Sequence, residues 1–155
     1  MPGYGILPET EGRGLLPWSF AAERLERTRN YMVATVTPAG APHVMPVWGV
    51  WLDDAAFYFS TSPASRKARN IAANPRITIT ADDPRNAVIV EATVTALDDP
   101  ATNRRVVSAY NQKYNWNTPE DEPFLVAHPH TVFAFIETSD TDPQFAQTAT
   151  RWTFD

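Results

Sequence analysis

The sequence predicts a mainly β domain: an antiparallel barrel of six or seven short strands with helices at its periphery. Three observations support this prediction. Short segments rich in β-branched and aromatic residues follow one another in hairpin order, separated by turn residues. The 14 prolines disfavour long uninterrupted helices. The length of 155 residues suits one domain, which we place at 17–155, after an irregular Pro- and Gly-rich arm at 1–16.

Seven segments have the pattern typical of strands. They are 31–37, 43–52, 56–62, 77–80, 86–97, 131–137 and 149–154. In the first three, apolar residues recur at every second position, as a half-buried sheet requires. These residues are Met32, Ala34 and Val36, then Val44, Trp48 and Val50, then Phe57 and Phe59.

Three helices complete the predicted order. The first begins with Ser19 as its N-cap. The second is short, with Ser65 as its N-cap and an end at Asn74-Pro75. The third begins at Asp99-Pro100, as N-cap and first helical residue, and runs to about Tyr114.

The composition excludes several classes of protein. The absence of cysteine rules out disulfides, iron–sulfur clusters and zinc thiolate sites. The last of six glycines is Gly49, and the early ones follow no strand, so Rossmann and P-loop phosphate cradles are not expected. A net charge of −5 argues against a nucleic-acid partner. No apolar run reaches the roughly 20 residues of a membrane span. We expect a cytoplasmic protein with no membrane partner.

Positive charge is concentrated in one segment, residues 55–81, which has no Asp or Glu and carries Arg66, Lys67, Arg69 and Arg76. Cations in the first turn of a helix oppose the helix dipole, at a cost of a few tenths to about 1 kcal/mol each. An anion bound there would remove that cost and would meet free backbone N–H groups.

Hydroxyl donors for such an anion are available at Ser60, Thr61, Ser62 and Ser65. The alternative is that the cations are solvated or pair with Asp53, Asp82 or Asp83, and the pattern alone does not decide between the two interpretations.

Pro46 marks an interruption in the second strand. Because it cannot donate a ladder hydrogen bond, the strand is locally an edge or a bulge. The exposed backbone around Met45–Trp48 could face a planar ring, and a plain edge strand is the alternative.

Other candidates carry weaker signals. His43 is expected to be a structural, hydrogen-bonded histidine, although it could line a pocket. His128-Pro129-His130 has metal-like spacing but no carboxylate cluster, so no metal site is expected. Tyr110, Tyr114 and Trp116 lie at helical spacing and near its end, where packing in the core or in a dimer is favoured over substrate stacking. No Ser/His/Asp arrangement stands out, and the catalytic residues stay unassigned.

Residues 57–77 read FYFSTSPASRKARNIAANPRI. The Ser-Arg-Lys triplet, followed by Asn-Pro-Arg before a strand, resembles the central segment of the pyridoxamine 5′-phosphate oxidase-like flavin-binding split-barrel superfamily. With the surrounding strand order, the resemblance covers about residues 18–137. It implies a six-stranded split barrel that forms a homodimer with the cofactor at the subunit interface.

The resemblance also implies roles for residues. Arg66 and Lys67 match the pair that grips the cofactor phosphate, Thr61 matches a hydroxyl beside it, and Arg85-Asn86 resembles a pair whose amide reaches the cofactor. The candidate cofactor-binding residues are Met45, Pro46, Val47, Trp48, Ser60, Thr61, Ser65, Arg66, Lys67, Asn70 and Asn86.

Two departures refine the functional expectation. The authentic oxidases have an Arg on the second strand and a Lys a few residues later, and they end in Arg-Leu-x-Pro. His43–Trp48 has neither cation and the tail Thr150–Asp155 lacks the motif, so pyridoxamine-phosphate oxidation is not expected. The chain is more similar to short actinobacterial members, many of which use the deazaflavin coenzyme F420. We therefore expect an F420-dependent oxidoreductase acting on a small organic acceptor. The alternatives are FMN as cofactor, or a protein that binds flavin, haem or a tetrapyrrole without turnover.

Overall fold

The computed structural model describes residues 15–53, 55–137 and 148–154, so most of the predicted 1–16 arm lies outside the described residues. The elements in these ranges are α1 (Trp18–Arg27), β1 (Asn30–Val36), β2 (Pro42–Trp51), β3 (Phe57–Phe59), α2 (Arg66–Ala73), β4 (Arg76–Thr80), β5 (Asn86–Ala96), α3 (Pro100–Tyr114), β6 (Leu125–Ile136) and β7 (Thr150–Thr153). None of these helices is both long and apolar enough to cross a membrane.

The strands form one antiparallel sheet in the order β3-β2-β1-β4-β5-β6-β7. The sheet closes because β3 also pairs with β6, through Phe57–Phe59 and Leu125–Ala127. Six strands therefore make a closed barrel, and β7 adds to β6 on the outside. The predicted fold class, an antiparallel six-stranded barrel with peripheral helices, is confirmed.

Two of the three predicted helix starts are confirmed by their cap hydrogen bonds. The Ser65 hydroxyl accepts from the Ala68 N–H at 3.0 Å, and the Asp99 carboxylate accepts from the N–H groups of residues 101 and 102. The prediction for Ser19 is wrong, because Pro17 is the N-cap of α1 and no side chain caps it. Trp18 packs edge-on against Trp152 and Phe154, and this contact fixes the start of the helix one residue before Ser19.

The strand boundaries differ most at β6, which begins six residues before the predicted start at Thr131. The sequence pattern hides this half of the strand because Pro129 interrupts it. A bulge between Glu91 and Ala92 changes the register, so that Glu91 lies opposite Thr131 and Ala92 opposite Pro129. At this bulge β6 has one residue more than β5, and the antiparallel pairing continues past the proline.

The two-residue period of β1 is confirmed, but its buried face is not the one that the most apolar residues suggested. Tyr31, Val33 and Thr35 point into the barrel, whereas Met32 and Val36 are exposed. β2 likewise buries Val47, Gly49 and Trp51 and exposes Val44 and Trp48. The closed curvature of the barrel decides which face is inside, and hydrophobicity alone could not.

The interior of the barrel is filled by Tyr31, Val33, Phe57, Phe59 and Ile79, together with residues from the other strands and from α1. A second cluster lies outside the barrel, where α3 covers β2, β3 and β6 through Val106, Tyr110, Tyr114 and their neighbours. The helix α3 is thereby fixed against the end of β2.

Gly49 of β2 lies directly against residues of β3. A Cβ atom here would overlap the ring of Phe57 and lie 2.9 Å from the Tyr58 carbonyl oxygen. The backbones can approach only because the side chain is a hydrogen.

We expect Gly49→Ala to lower the free energy of unfolding by about 1–3 kcal/mol, because the added methyl overpacks the closure of the barrel. Urea unfolding measures this change. Gly40→Asn is the matched control: Gly40 has a φ of 81° and nothing within 4 Å of its Cβ position, and Asn tolerates that conformation. Equal losses in the two variants would contradict the steric explanation.

Candidate cofactor site

The start of α2 gathers several predicted site residues into one cluster. Ser65 caps the helix, and its hydroxyl lies 3.2 Å from the Thr61 hydroxyl. The cap satisfies the N–H of Ala68, and the N–H of Arg69 bonds to the Ser65 carbonyl. The N–H groups of Arg66 and Lys67 have no acceptor within the described residues. Two free donors and two hydroxyls therefore meet at this helix start.

Arg66 and Lys67 in this cluster are not neutralised by any residue that the structure describes. Lys67 is only 9% exposed, and burial lowers its pKa. Across residues 15–53, 55–137 and 148–154, neither Arg66 nor Lys67 has an ion-pair partner. A desolvated ammonium without a counter-ion is unfavourable, and a bound anion would relieve that cost.

The aspartates proposed as alternative partners have other contacts. Asp53 pairs with Arg105 at 2.7 Å, and Asp82 accepts from the Thr28 hydroxyl. Asp83 accepts from the side-chain amide of Asn86 at 2.7 Å. In the described structure, the alternative that these aspartates neutralise the cations of α2 is therefore not observed.

Asn70 lies beneath the cluster and ties α2 to the barrel. Its side chain is 2% exposed and donates to the Thr35 hydroxyl at 2.9 Å. That hydroxyl in turn lies 3.3 Å from the carbonyl oxygen of His43 and 3.5 Å from its Nδ1. The amide thus positions α2 against β1 and β2, and its burial leaves little surface for direct contact with a ligand.

The backbone of Val44–Trp48 has one free side. Residues 42–48 pair with β1, whereas β3 pairs only with Gly49–Trp51, so within the described chain the first part of β2 has a single strand neighbour. Pro46 lies opposite Met32 and has no N–H, so this pair suits a non-hydrogen-bonded position, where backbone groups point away from the partner strand. The predicted local edge at Pro46 is confirmed.

This free side lies beside the segment that leads to α2. The chain leaves the sheet after Phe59, which lies opposite Gly49. Ser60 lines the same pocket as Trp48, and Thr61 is already in contact with Ser65. The cluster at the start of α2 and the open strand edge are therefore neighbours in space.

Side chains of helix α3 form hydrogen bonds with the backbone of β2 at Trp48 and Gly49. The Tyr110 hydroxyl donates to the Trp48 carbonyl. The Tyr114 hydroxyl contacts both the N–H and the carbonyl of Gly49 at 2.8 Å. Lys113 donates to the Gly49 carbonyl at 3.0 Å and to the Tyr31 hydroxyl at 2.8 Å. The sequence predicts packing for the two tyrosines and makes no prediction for Lys113. The spacing of residues 110, 113 and 114, which puts them on one face of α3, is the signal for this group.

The side chains of two predicted site residues have their partners outside this cluster. The Ser60 hydroxyl donates to the Glu122 carboxylate, toward the loop that precedes β6. Asn86 begins β5 and shares a hollow with Arg24, Arg27 and Asp82, and neither Arg66 nor Lys67 is among the described residues that line this hollow.

His128 and His130 lie on the exposed face of β6. Among the described residues, no group of three or more His, Asp or Glu side chains could hold a metal ion.

The chemical capacity of the cluster is anion binding. A phosphate group would match one guanidinium, one ammonium, two backbone N–H donors and two hydroxyls. These donors are of the kind that bind a phosphate, and the adjoining strand edge has backbone groups without a strand partner among the described residues.

A sequence profile described as pyridoxamine 5′-phosphate oxidase matches residues 19–136. No curated protein matches the chain. Three solved structures illustrate the likeness. An F420 reductase is 27% identical, with a TM-score of 0.58 over 71% of this chain and 93% of its own.

The other two structures are more distant in sequence. General Stress Protein 26 from Bacillus anthracis is 16% identical, with a TM-score of 0.62 over 75% of this chain and 91% of its own. HutZ, described as a heme storage protein from Vibrio cholerae, is 20% identical, with a TM-score of 0.59 over 76% of this chain and 90% of its own. These two share the fold with this chain.

We expect the free energy of unfolding to rise between pH 7.5 and 9, below the range in which the raised pKa values of Tyr31, Tyr110 and Tyr114 act in the opposite direction. Burial lowers the pKa of Lys113 from 10.5 to about 8, so in this window the unfolded chain binds more protons than the folded chain, and stability increases with pH. Lys67 contributes in the same direction. Lys113→Met should therefore flatten the rise without abolishing it, as measured by urea unfolding at several pH values.

Gln112→Met is the control, because it places the same side chain on an exposed position of α3. This variant should keep the wild-type pH dependence. A wild-type slope in Lys113→Met would show that the ammonium is not desolvated by its contacts with Gly49 and Tyr31.

Proposed function

The chain belongs to the pyridoxamine 5′-phosphate oxidase family, and from this membership we propose that it is an oxidoreductase that uses bound coenzyme F420 to reduce a small organic acceptor. The observation that carries the proposal is the pair Arg66 and Lys67 at the start of α2. Among the described residues this pair has no ion-pair partner, and the two backbone N–H groups there have no acceptor. FMN is the alternative cofactor, because it too carries a phosphate.

Each part of the cluster has a distinct role in this proposal. Arg66 and Lys67 bind the phosphate through charge-assisted hydrogen bonds. Ser65 holds the helix start in place, and Thr61 orients a hydroxyl toward the same point. Asn70 acts as a positioning residue, since it keeps α2 against Thr35 of the barrel.

The strand edge at Val44–Trp48 orients the ring of the cofactor. When bound, a deazaflavin supplies the hydride chemistry, and the protein contributes binding, orientation and exclusion of water. The Tyr110 hydroxyl stabilises the end of this edge by its bond to the Trp48 carbonyl. No side chain is assigned as an acid or base.

Two observations favour F420 over FMN. The F420 reductase is 27% identical over most of its own length. The residues of β2 from His43 to Trp48 include no Arg or Lys, whereas the authentic oxidases have an Arg on this strand and a Lys a few residues later. A protein that binds the cofactor without turnover is the alternative, and reduction of an acceptor in a panel of quinones and enones separates the two.

We expect the double variant Arg66→Ala, Lys67→Met to weaken F420 binding by about 100-fold, because two charge-assisted contacts to the phosphate are lost. Methionine is chosen at position 67 because it replaces the buried stem of the lysine. Titration followed by F420 fluorescence gives the affinity.

The double variant Arg27→Ala, Arg104→Ala removes the same charge from exposed helix positions and should bind F420 like the wild type. Unchanged affinity in the α2 variant would refute the phosphate anchor. If the wild type binds FMN more tightly than F420, FMN would become the proposed cofactor, and the proposal that Arg66 and Lys67 bind its phosphate would stand.

We also propose that the chain forms a homodimer through the outer face of β1 and β2. Met32, Val36 and Val44 are 40%, 37% and 50% exposed, and they lie together because Ala34 pairs with Val44 and Val36 with Pro42. The outward residues of this patch carry no charge, which suits a second copy of the same apolar face. The cofactor strand would then lie at the subunit interface.

Val44→Glu should convert the dimer into a monomer, because it buries an unpaired carboxylate in the proposed interface. Light scattering coupled to size exclusion should give twice 17.3 kDa for the wild type and 17.3 kDa for the variant. Gln112→Glu, on the exposed side of α3, should stay dimeric. A monomeric wild type would overturn the dimer proposal.

A further inference from the structure

A pocket of about 360 Å³ lies between the end of β2, helix α3 and the loop 115–124. We call it the indole pocket, because the side chains of Trp48 and Trp116 form two of its walls. Tyr110 and Phe124 also line it, with Ser60 and Glu122 as polar members. Its volume lies at the lower end of the range for small-molecule sites.

The walls of the indole pocket are a connected aromatic cluster. Trp116 packs edge-on against Trp48 at 5.7 Å and stacks on Tyr114 at 4.8 Å. Tyr110 lies 5.9 Å from Trp116 and 5.0 Å from Phe124. Although both indoles are held by neighbouring rings, Trp48 is 49% and Trp116 45% exposed. Ring surface is therefore left open beside the pocket.

The loop that carries Trp116 and Glu122 is fixed to α3. The Asn111 side chain accepts from the Thr118 N–H at 2.7 Å, and the Asn103 side chain donates to the Glu120 carbonyl at 2.8 Å. The pocket is thus formed in advance of any ligand, which lowers the entropic cost of binding.

Glu122 gives the indole pocket its charge. Its carboxylate accepts from the Ser60 hydroxyl, and within the described residues it has no ion-pair partner. The other titratable group lining the pocket is the Tyr110 hydroxyl, which donates to the Trp48 carbonyl and whose pKa is raised, chiefly by burial. A carboxylate beside open indole faces is the chemistry that recognises an organic cation.

We propose that the indole pocket binds an organic cation, a quaternary or protonated amine attached to a small apolar or aromatic group. The carboxylate of Glu122 neutralises the cation, and the rings of Trp48 and Trp116 contact its alkyl or aryl surface. A neutral ring would leave the carboxylate without a counter-ion, and an anion would be repelled by it.

The position of the pocket connects it to the proposed reaction. Trp48 belongs both to the pocket and to the strand edge that would orient the cofactor ring. Resting on the proposed function, the indole pocket is the place where a cationic acceptor would be held for reduction.

The test is a titration of the cofactor-free protein with benzyltrimethylammonium, with benzyl alcohol and benzoate as neutral and anionic probes carrying the same ring. The indole N–H signals in the NMR spectrum report binding, and Trp48→Phe and Trp116→Phe assign two of the five tryptophans. The cation should shift these two signals and bind at least about fivefold more tightly than the alcohol, as expected for one charge pair near the surface.

Glu122→Gln should weaken binding of the cation about fivefold or more, while its amide oxygen still accepts from Ser60. Asp121→Asn is the matched control, since it removes one charge from the exposed neighbouring residue, and it should bind like the wild type. Trp116→Leu should weaken binding roughly three- to fivefold.

Equal affinity for the cation and the alcohol, or equal binding in Glu122→Gln and Asp121→Asn, would overturn the proposal. Because no cofactor is present, such a result would not affect the F420 proposal. Conversely, if the protein does not bind F420, the indole pocket would no longer be assigned to a cationic acceptor in the reaction, but its proposed binding of an organic cation would stand.

Discussion

Closure of the barrel depends on β3, a strand of three residues that pairs with β2 on one side and β6 on the other. Because β3 reaches only Gly49–Trp51, the described residues 42–48 of β2 have β1 as their single strand neighbour. The chain that would have continued the ladder turns instead into α2. The short closing strand thus creates both the open strand edge and its position beside the cationic helix start.

The open edge is stabilised where it meets the closed part of the barrel. A hydroxyl from α3 takes the place of a strand partner at Trp48, whose carbonyl accepts from Tyr110. The Tyr114 hydroxyl bridges Gly49 to the Arg29 carbonyl, just before the start of β1. Lys113 adds a partly buried ammonium to the same place. These contacts fix the part of β2 that adjoins the indole pocket, so that the strand edge and the pocket share a rigid border.

Both lysines of the chain are desolvated, but they differ in their surroundings. Lys113 donates to the Gly49 carbonyl and to the Tyr31 hydroxyl, so its charge is partly compensated within the fold. Lys67 has no such partner within the described residues, and it lies beside Arg66 at the end of a helix dipole that disfavours it. Cations are unfavourable in the first turn of a helix, and such departures from local preference are common at functional sites. The start of α2 is a departure of this kind.

The candidate site could be predicted from sequence only where its parts are local. Thr61, Ser65, Arg66 and Lys67 lie within seven residues, and one N-cap brings them together. Ser60 could not be assigned in the same way, because its partner Glu122 is distant in sequence and faces it only after β3 and β6 pair.

The burial of Asn70 was equally hidden, since Thr35 reaches it through the packing of α2 on β1. Asn86 has a local partner, Asp83, and the position of both relative to α2 depends on the whole barrel.

The sequence by itself determined the caps at Ser65 and Asp99, the strand edge at Pro46, the two-residue alternation of the strands and the cationic segment, because each depends on a few neighbouring residues. The tertiary structure decided which face of β1 is buried, how far β6 extends past Pro129, and which groups neutralise or fail to neutralise each charge. These outcomes depend on closure of the sheet, because closure determines which face of each strand lies inside the barrel and brings residues that are distant in sequence into contact.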